Sequence, residues 1–332
     1  MTKADVIIGG QYGSEAKGAL AGWLAHQREY DTVISNSGSQ AGHTFRYNDG
    51  HSIITRHVPI AGIIQKHTKI LLSPACVIDP EVLLTEIDKF NLHSRIHIHP
   101  NAAVIHTDDI SAEIELAEAI GSTGKGNGVA LTNKIMRKSR AIAENCKELK
   151  AYVCSGFIYH NLINGADDIL IEGAQGFSLS LDEKFYPYCT SRNCWVGQAL
   201  ADAWIHPNLL RNTYMVIRTY PIRVAGHSGD YYPDQHEIYW DDIGVEPEIT
   251  TVTQRVRRVF TFSELQVIEA ASINRPTYLA ISHLDYLPAD QVTQFVENLT
   301  HSLTNTIGYC PILIYGAGPQ LKDWSMENGA TL

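Results

Sequence analysis

No stretch of this chain stays apolar for anything near the roughly 20 residues that a membrane-spanning helix needs, so a bilayer protein is not expected. An excess of positive charge is missing too. Lys and Arg total 26 against 36 Asp and Glu, and the net charge of -10 argues against a general nucleic-acid binder. Local basic clusters could still hold phosphates. The six cysteines contain no C-x-x-C pair, which excludes zinc-ribbon spacing and fits reduced intracellular thiols better than a disulfide framework. Apolar strand residues follow Met1 closely, leaving no room for a signal peptide, and a soluble cytoplasmic protein is expected. Repeats, low-complexity tracts and a clear linker are also lacking. A 332-residue chain that is 44% hydrophobic and 19% charged is therefore read as one compact domain over residues 1–332.

What is present begins with Val6-Ile7-Ile8, an apolar run suited to a strand buried on both faces. It stops at Gly9-Gly10. The loop Gly10 to Gly18 (G-Q-Y-G-S-E-A-K-G) follows, and Leu20, Trp23 and Leu24 then fall at helical spacing. Strand, glycine-rich loop with a lysine, and helix form the arrangement in which backbone N–H groups and a helix N-terminus face a phosphate. The pattern G-x-x-x-x-G-K-(S/T) is not matched: Gln11 and Ala16 stand where its glycines belong, and Gly18 where the magnesium-binding hydroxyl would be.

Further strands are expected at 32–35, 52–58, 69–72, 95–99, 168–172, 214–218, 277–282 and 311–315. Helices are expected from Asp79 or Pro80 to Phe90, and over 110–120, 131–145, 148–162, 263–273 and 291–306. Strands alternating with helices, with glycines repeatedly at strand C-termini, predict an α/β fold around a mostly parallel sheet. His97 and His99 share a strand face. Without a third ligand at motif spacing they are read as structural.

The glycine loop together with Gln40-Ala41-Gly42-His43-Thr44 resembles the adenylosuccinate synthetase family, which carries G-x-x-G-D-E-G-K-G-K and then N-A-G-H-T. That resemblance implies a P-loop-like α/β fold and a ligase that joins aspartate to C6 of a purine monophosphate by way of a 6-phosphoryl intermediate. It also implies Mg²⁺, held by triphosphate oxygens with Ser14 and the Gly42 carbonyl. Triphosphate binding falls to Gly13, Glu15, Ala16, Lys17, Gly18, Gly42, His43 and Thr44. Lys17 holds the β- and γ-phosphates, and His43 acts as acid or electrostatic stabiliser; with an ordinary pKa of about 6.5 it can donate a proton near pH 7.

Ser14 stands where the family has its catalytic aspartate. General-base help is worth about 10²–10⁴-fold, and a serine has no comparable basicity. Three readings follow: an inactive protein, another base (Glu15 or the γ-phosphate), or another substrate. Serine leaves space beside purine N1 and C2, where guanine carries an amino group. A viral branch of the family has this serine, a shortened chain and dGMP as its substrate.

The remaining resemblances are spread along the chain. Ser122-Thr123-Gly124-Lys125-Gly126 is similar to T-T-G-R-G and Glu172 to Gly176 to E-G-A-Q-G, while Tyr186 to Ser191 matches Y-P-Y-V-T-S. The monophosphate therefore falls to Ser14, Gln40, Ala41, Ser122, Thr123, Gln175, Cys189, Thr190 and Val224. Arg137 matches an arginine that reaches a neighbouring subunit's nucleotide, implying a homodimer. Thr251, Val252, Thr253, Arg255 and Arg257 match the loop that captures aspartate, where arginine forks suit carboxylates. His283 and Asp285, with Gly316, Gly318 and Pro319, match the guanine-reading pocket for GTP. His283 replaces a lysine there, so ATP and dATP stand beside GTP as donors. The resulting expectation is a dGMP–aspartate ligase, catalysed by Ser14, Lys17, His43 and Gln175, in the host cytoplasm if the protein is viral. An IMP-using synthetase and a catalytically silent nucleotide-binding regulator are the alternatives.

Overall fold

The computed structural model describes residues 2–121, 123–250 and 255–326, with the side chains of 115–118 left aside. Its frame is a nine-stranded sheet. From edge to edge the strands are Trp324–Met326, Ile312–Gly316, Tyr278–Ser282, Leu210–Arg218, Lys3–Gly9, Asp168–Glu172, Thr32–Ser35, Lys69–Leu72 and Ile96–Ile98. Every neighbouring pair is parallel except the last-formed edge, where Trp324–Met326 runs antiparallel to Ile312–Gly316.

Lys3–Gly9 lies in the middle, and its alternation explains the layers. Ile7 belongs to a core with Leu20, Trp23, Leu24 and Phe45, whereas Val6 and Ile8 belong to another with Tyr159, Ala199, Ala270 and Leu299. Helices cover both faces, as an almost wholly parallel sheet requires. Because the strands are parallel, their C-terminal ends share one rim, and the glycine turns collect there.

Most of the expected elements form within a few residues of their expected bounds. The helix Pro80–Phe90 starts where Asp79 accepts from the Val82 N–H at 3.3 Å and stops where Asn91 turns left-handed at φ 53. Two helix expectations need correction. The segment 131–145 is α-helical only through Ile135, within the helix Asn127–Ile135, and then forms two single 3-10 turns at Ser139–Ala141 and Ala143–Asn145. Arg137 then turns left-handed at φ 58, and the N–H groups of Ala143 and Glu144 go to the carbonyls of Ala102 and Pro100 instead of back along a helix. Likewise 148–162 becomes helical only at Gly156–Asn164, because Ile98 and Cys154 pair their main chains across the sheet edge first. Tertiary pairing overrides local helix propensity in both. The hairpin strand His43–Arg46, the edge strand Trp324–Met326 and the helix Val196–Ala203 were not expected from the sequence.

Candidate active site

One cleft of about 800 Å³ opens along the rim of strand ends, and most of the residues singled out above line it. The glycine loop forms its floor. Gly13, Ser14 and Ala16 take positive φ values of 87, 60 and 67, which turns successive peptide groups and brings the helix Lys17–Gln27 in with its N-terminus at the cleft. Gly18 has a steric reason: a Cβ there would meet the Thr44 main-chain nitrogen at 2.8 Å. The second strand–loop junction packs as closely, since a Cβ on Gly176 would lie 2.3 Å from the Gly13 nitrogen.

Two loop residues have roles that the motif did not suggest. Gln11 is wholly buried, and its amide holds both the N–H (2.8 Å) and the C=O (3.1 Å) of Arg218. Glu15 is also wholly buried and does not line the cleft. One carboxylate oxygen takes the N–H groups of Gln11 (3.1 Å) and Gly13 (2.7 Å), and the other takes Lys17 Nζ at 2.6 Å. Glu15, expected at the triphosphate, thus shapes the loop and aims the lysine from beneath the cleft.

His43 stands opposite the loop, at the start of a hairpin whose partner residue is Thr55. It is buried, and burial followed by the nearby Lys17 charge lowers its pKa to about 4. The imidazole is neutral at pH 7 and presents one donor and one acceptor. Thr44 and Gly42 are exposed beside it, with open space around Gly42.

On one side of this centre lie Gln40, Ala41, Thr123, Gln175, Cys189, Thr190 and Val224. The cleft also holds Glu113 and Asn127, which the sequence reading missed. Glu113 caps the helix Asn127–Ile135 through the Gly126 and Gly128 N–H groups, and Asn127 bonds Ser39 twice at 3.1 Å. The Asn127 bonds fasten the start of that helix to the loop before His43. Arg223 is buried between the rings of Tyr12 (4.6 Å) and Phe185 (5.2 Å) and donates to the Tyr188 and Asp230 carbonyls. Burial lowers its pKa to about 10, so it stays charged at pH 7. Arg223 reads in the sequence together with Val224, as a pair similar to the family's Arg-Val at the nucleotide site; Glu113 and Asn127 give no signal.

Across the cleft are His283, Asp285, Gly318 and Pro319. His283 turns left-handed at φ 58 and shares a 2.8 Å hydrogen bond with Ser282. Burial, then the Arg218 charge, takes its pKa down to about 3, so no cation stands where the family pattern has lysine. Gly316 is not in the cleft, because the Trp324 ring fills the space behind it. Arg255 and Arg257 also line the cleft, and Arg257 reaches the Ser14 hydroxyl at 3.1 Å. Ser122, Thr251, Val252 and Thr253 lie outside the described residues. Arg137 is exposed and away from its own chain's cleft.

Magnesium, which the family implies, finds a limited donor set. Among the described residues no three His, Cys, Asp or Glu side chains converge as a metal cage. Ser14 and the open Gly42 carbonyl are neutral oxygens at the cleft, a set that fits an ion carried by phosphates and water and does not suit an all-protein site.

Comparison with known proteins agrees with this arrangement. The family described as adenylosuccinate synthetase matches residues 6–147 and 139–296. An N6-succino-2-amino-2'-deoxyadenylate synthase of Vibrio phage phiVC8 is 36% identical, over 97% of this chain and 98% of its own. The adenylosuccinate synthetase of Pyrococcus horikoshii is 29% identical over 96% of each chain. In three dimensions the succinoaminodeoxyadenylate synthetase of cyanophage S-2L, solved with dGMP and with dATP as an energy donor, superposes with a TM-score of 0.88. It has 29% identity and covers 98% of this chain and 95% of that one. The chain belongs to the adenylosuccinate synthetase family.

Proposed function

We propose that this protein is a C–N ligase that joins L-aspartate to C6 of dGMP, giving 2-amino-2'-deoxyadenylosuccinate, at the expense of a purine triphosphate. The observation that carries the reading is that Lys17 and His43, Thr123, Gln175 and Thr190, and the forks of Arg255 and Arg257 line one cleft together with Ser14. The relatives named for this product support the choice of dGMP.

Two steps account for the product. Guanine O6 attacks the γ-phosphorus, the O6–P bond forms, the donor's β–γ bridge breaks and the nucleoside diphosphate leaves. The aspartate amine then attacks C6 and inorganic phosphate departs with O6. Transfer of this kind depends on position and charge. Lys17, aimed by Glu15, meets the phosphate charge, and neutral His43 donates a hydrogen bond to the oxygen that gains it. Thr123 and Thr190, with Ser122, hold the 5'-phosphate; Gln175 and Gln40 contact the nucleoside. Arg255 and Arg257, with Thr251 to Thr253, hold the two aspartate carboxylates. Magnesium at Ser14 and Gly42 would supply charge neutralisation between the phosphates.

The guanine N1 proton needs an acceptor. The oxygens of Glu15 are committed to Lys17 and two loop N–H groups, which leaves the γ-phosphate as the base. Ser14 contributes space and an acceptor for the 2-amino group. The donor's base meets a neutral His283, which suits ATP or dATP. Arg137 reaches the neighbouring cleft of a homodimer. The whole chain acts as one catalytic domain in the cytoplasm, the host's if the protein is viral. No helix among the described residues is long and apolar enough to cross a membrane.

Product mass tests the reading. Protein, Mg²⁺, aspartate and ATP are combined with dGMP or with IMP. A succino-adduct from dGMP is expected. An adduct from IMP alone would make this an IMP-using synthetase, and no adduct from either, with nucleotide bound, would make it a regulator.

A further inference from the structure

Ser14 is held from two directions, by Arg257 and by Arg218, whose pairing with Glu248 has no part in the motifs read above. Arg218, at the end of the strand Leu210–Arg218, has no exposed surface. Its main chain is held on both sides by the Gln11 amide, and its guanidinium donates to the Ser14 carbonyl at 3.0 Å. The same guanidinium pairs with the Glu248 carboxylate through both terminal nitrogens. The Glu248 main-chain oxygen in turn accepts from the Arg257 N–H at 2.9 Å, and Arg257 Nη1 donates to the Ser14 hydroxyl at 3.1 Å. The circuit Ser14, Arg218, Glu248, Arg257 closes on itself.

Resting on the function proposed above, we infer that Arg218 and Glu248 are positioning residues that set the Ser14 peptide and the Arg257 guanidinium as one unit. The acceptor base and the amino acid then meet in a fixed relation.

Three physical points support this. Ser14 sits at φ 60, a conformation that a serine holds only when its surroundings impose it, and Arg218 clamps its carbonyl there. Arg257 uses one lone pair of the Ser14 oxygen, leaving the other lone pair and the hydroxyl proton for a ligand. Glu248 neutralises Arg218, so Arg255 and Arg257 remain as the two forks for the two carboxylates of aspartate. Burial pushes the Glu248 carboxyl up, but the charge and hydrogen bonds of Arg218 outweigh it and bring it to about 2, so Glu248 is a carboxylate at neutral pH. An apolar pair could fill the same volume but could not bond both partners.

The test is steady-state kinetics on the full-length chain, with wild-type product from dGMP and aspartate read first. No adduct from the wild type would overturn the proposed function, and this inference with it. Given an adduct, Arg218→Met is expected to lower kcat about 100-fold and raise the KM for aspartate about tenfold, with the donor KM within about twofold. Arg218→Lys, which keeps the charge but loses the fork, should recover part of kcat. Glu248→Gln keeps the shape and tests the charge even if Arg218→Met fails to fold. It should show the same split between aspartate and donor. A folded Glu248→Gln or Arg218→Met protein with an unchanged aspartate KM and kcat would overturn the inference, as would equal changes in all three KM values.

Discussion

The two ends of the cleft have been treated differently. At the phosphate and amino-acid end, Lys17, Arg223, Arg255 and Arg257 bring positive charge, and each loop is fastened by buried bonds such as Glu15 to Lys17 and Asn127 to Ser39. At the donor-base end His283 is neutral, burial raises the Asp285 carboxyl above its ordinary value, and Gly316 is closed off by Trp324. On the proposed function, Lys17, His43, Arg255 and Arg257 keep the family pattern at the end that handles charge, with Ser14 as the exception, whereas at the end that reads the donor's base His283 replaces a lysine although Asp285 remains. Substitutions at the first end should therefore cost far more than substitutions at the second.

The largest effect is expected for Lys17→Met, which removes the charge facing the transferring phosphoryl group; kcat should fall by about 10³-fold with the fold intact. Next comes His43→Ala, with a loss of about 10²-fold in kcat and a smaller change in nucleotide KM, measured by single-turnover phosphate release.

Acid should reach both ends at once. His43, His57 and His283 are buried neutral, with pKa values near 4, 3 and 3. Each is depressed below its unfolded value, so its contribution is whole above about pH 6.5 and is lost as pH falls, by on the order of 2 kcal/mol per histidine at pH 5. Glu172 works the other way. Burial raises its carboxyl to about 7, so it favours the folded state increasingly as pH falls from 7 towards its unfolded value. Three histidines outweigh one carboxyl, and urea unfolding should show lower stability at pH 5 than at pH 7.

A smaller change is expected for Thr190→Val, about tenfold in the KM for dGMP with little effect on the donor. The smallest is His283→Lys, which restores the family's cation at the donor base. It should shift the preference between ATP and GTP by less than about tenfold. A larger loss there than at Lys17 would reverse the contrast between the two ends.

Much of this was legible in the sequence. The central strand, the glycine turn and the helix of Lys17 are contiguous, so their pattern survives without tertiary information, and the parallel sheet followed from the alternation of elements. The positions of Gln11, Glu15 and Arg218 were not legible, because Gln11 finds its partner 207 residues away and Ser14 is held by Arg218 from 204 residues away. Glu15 read as a ligand-facing loop acid, and only the fold turns it underneath. The break after Ile135 was hidden too, since it is made by a left-handed turn at Arg137 and followed by bonds from Ala143 and Glu144 to the distant carbonyls of Ala102 and Pro100.

The measurement that bears most directly on the central claim uses dGMP labelled with ¹⁸O at O6, incubated with aspartate, ATP and Mg²⁺. The account predicts a succino-adduct that has lost the label and inorganic phosphate that has gained it. A triphosphate cleaved to phosphate carrying only solvent oxygen, with labelled dGMP recovered unchanged, would contradict it.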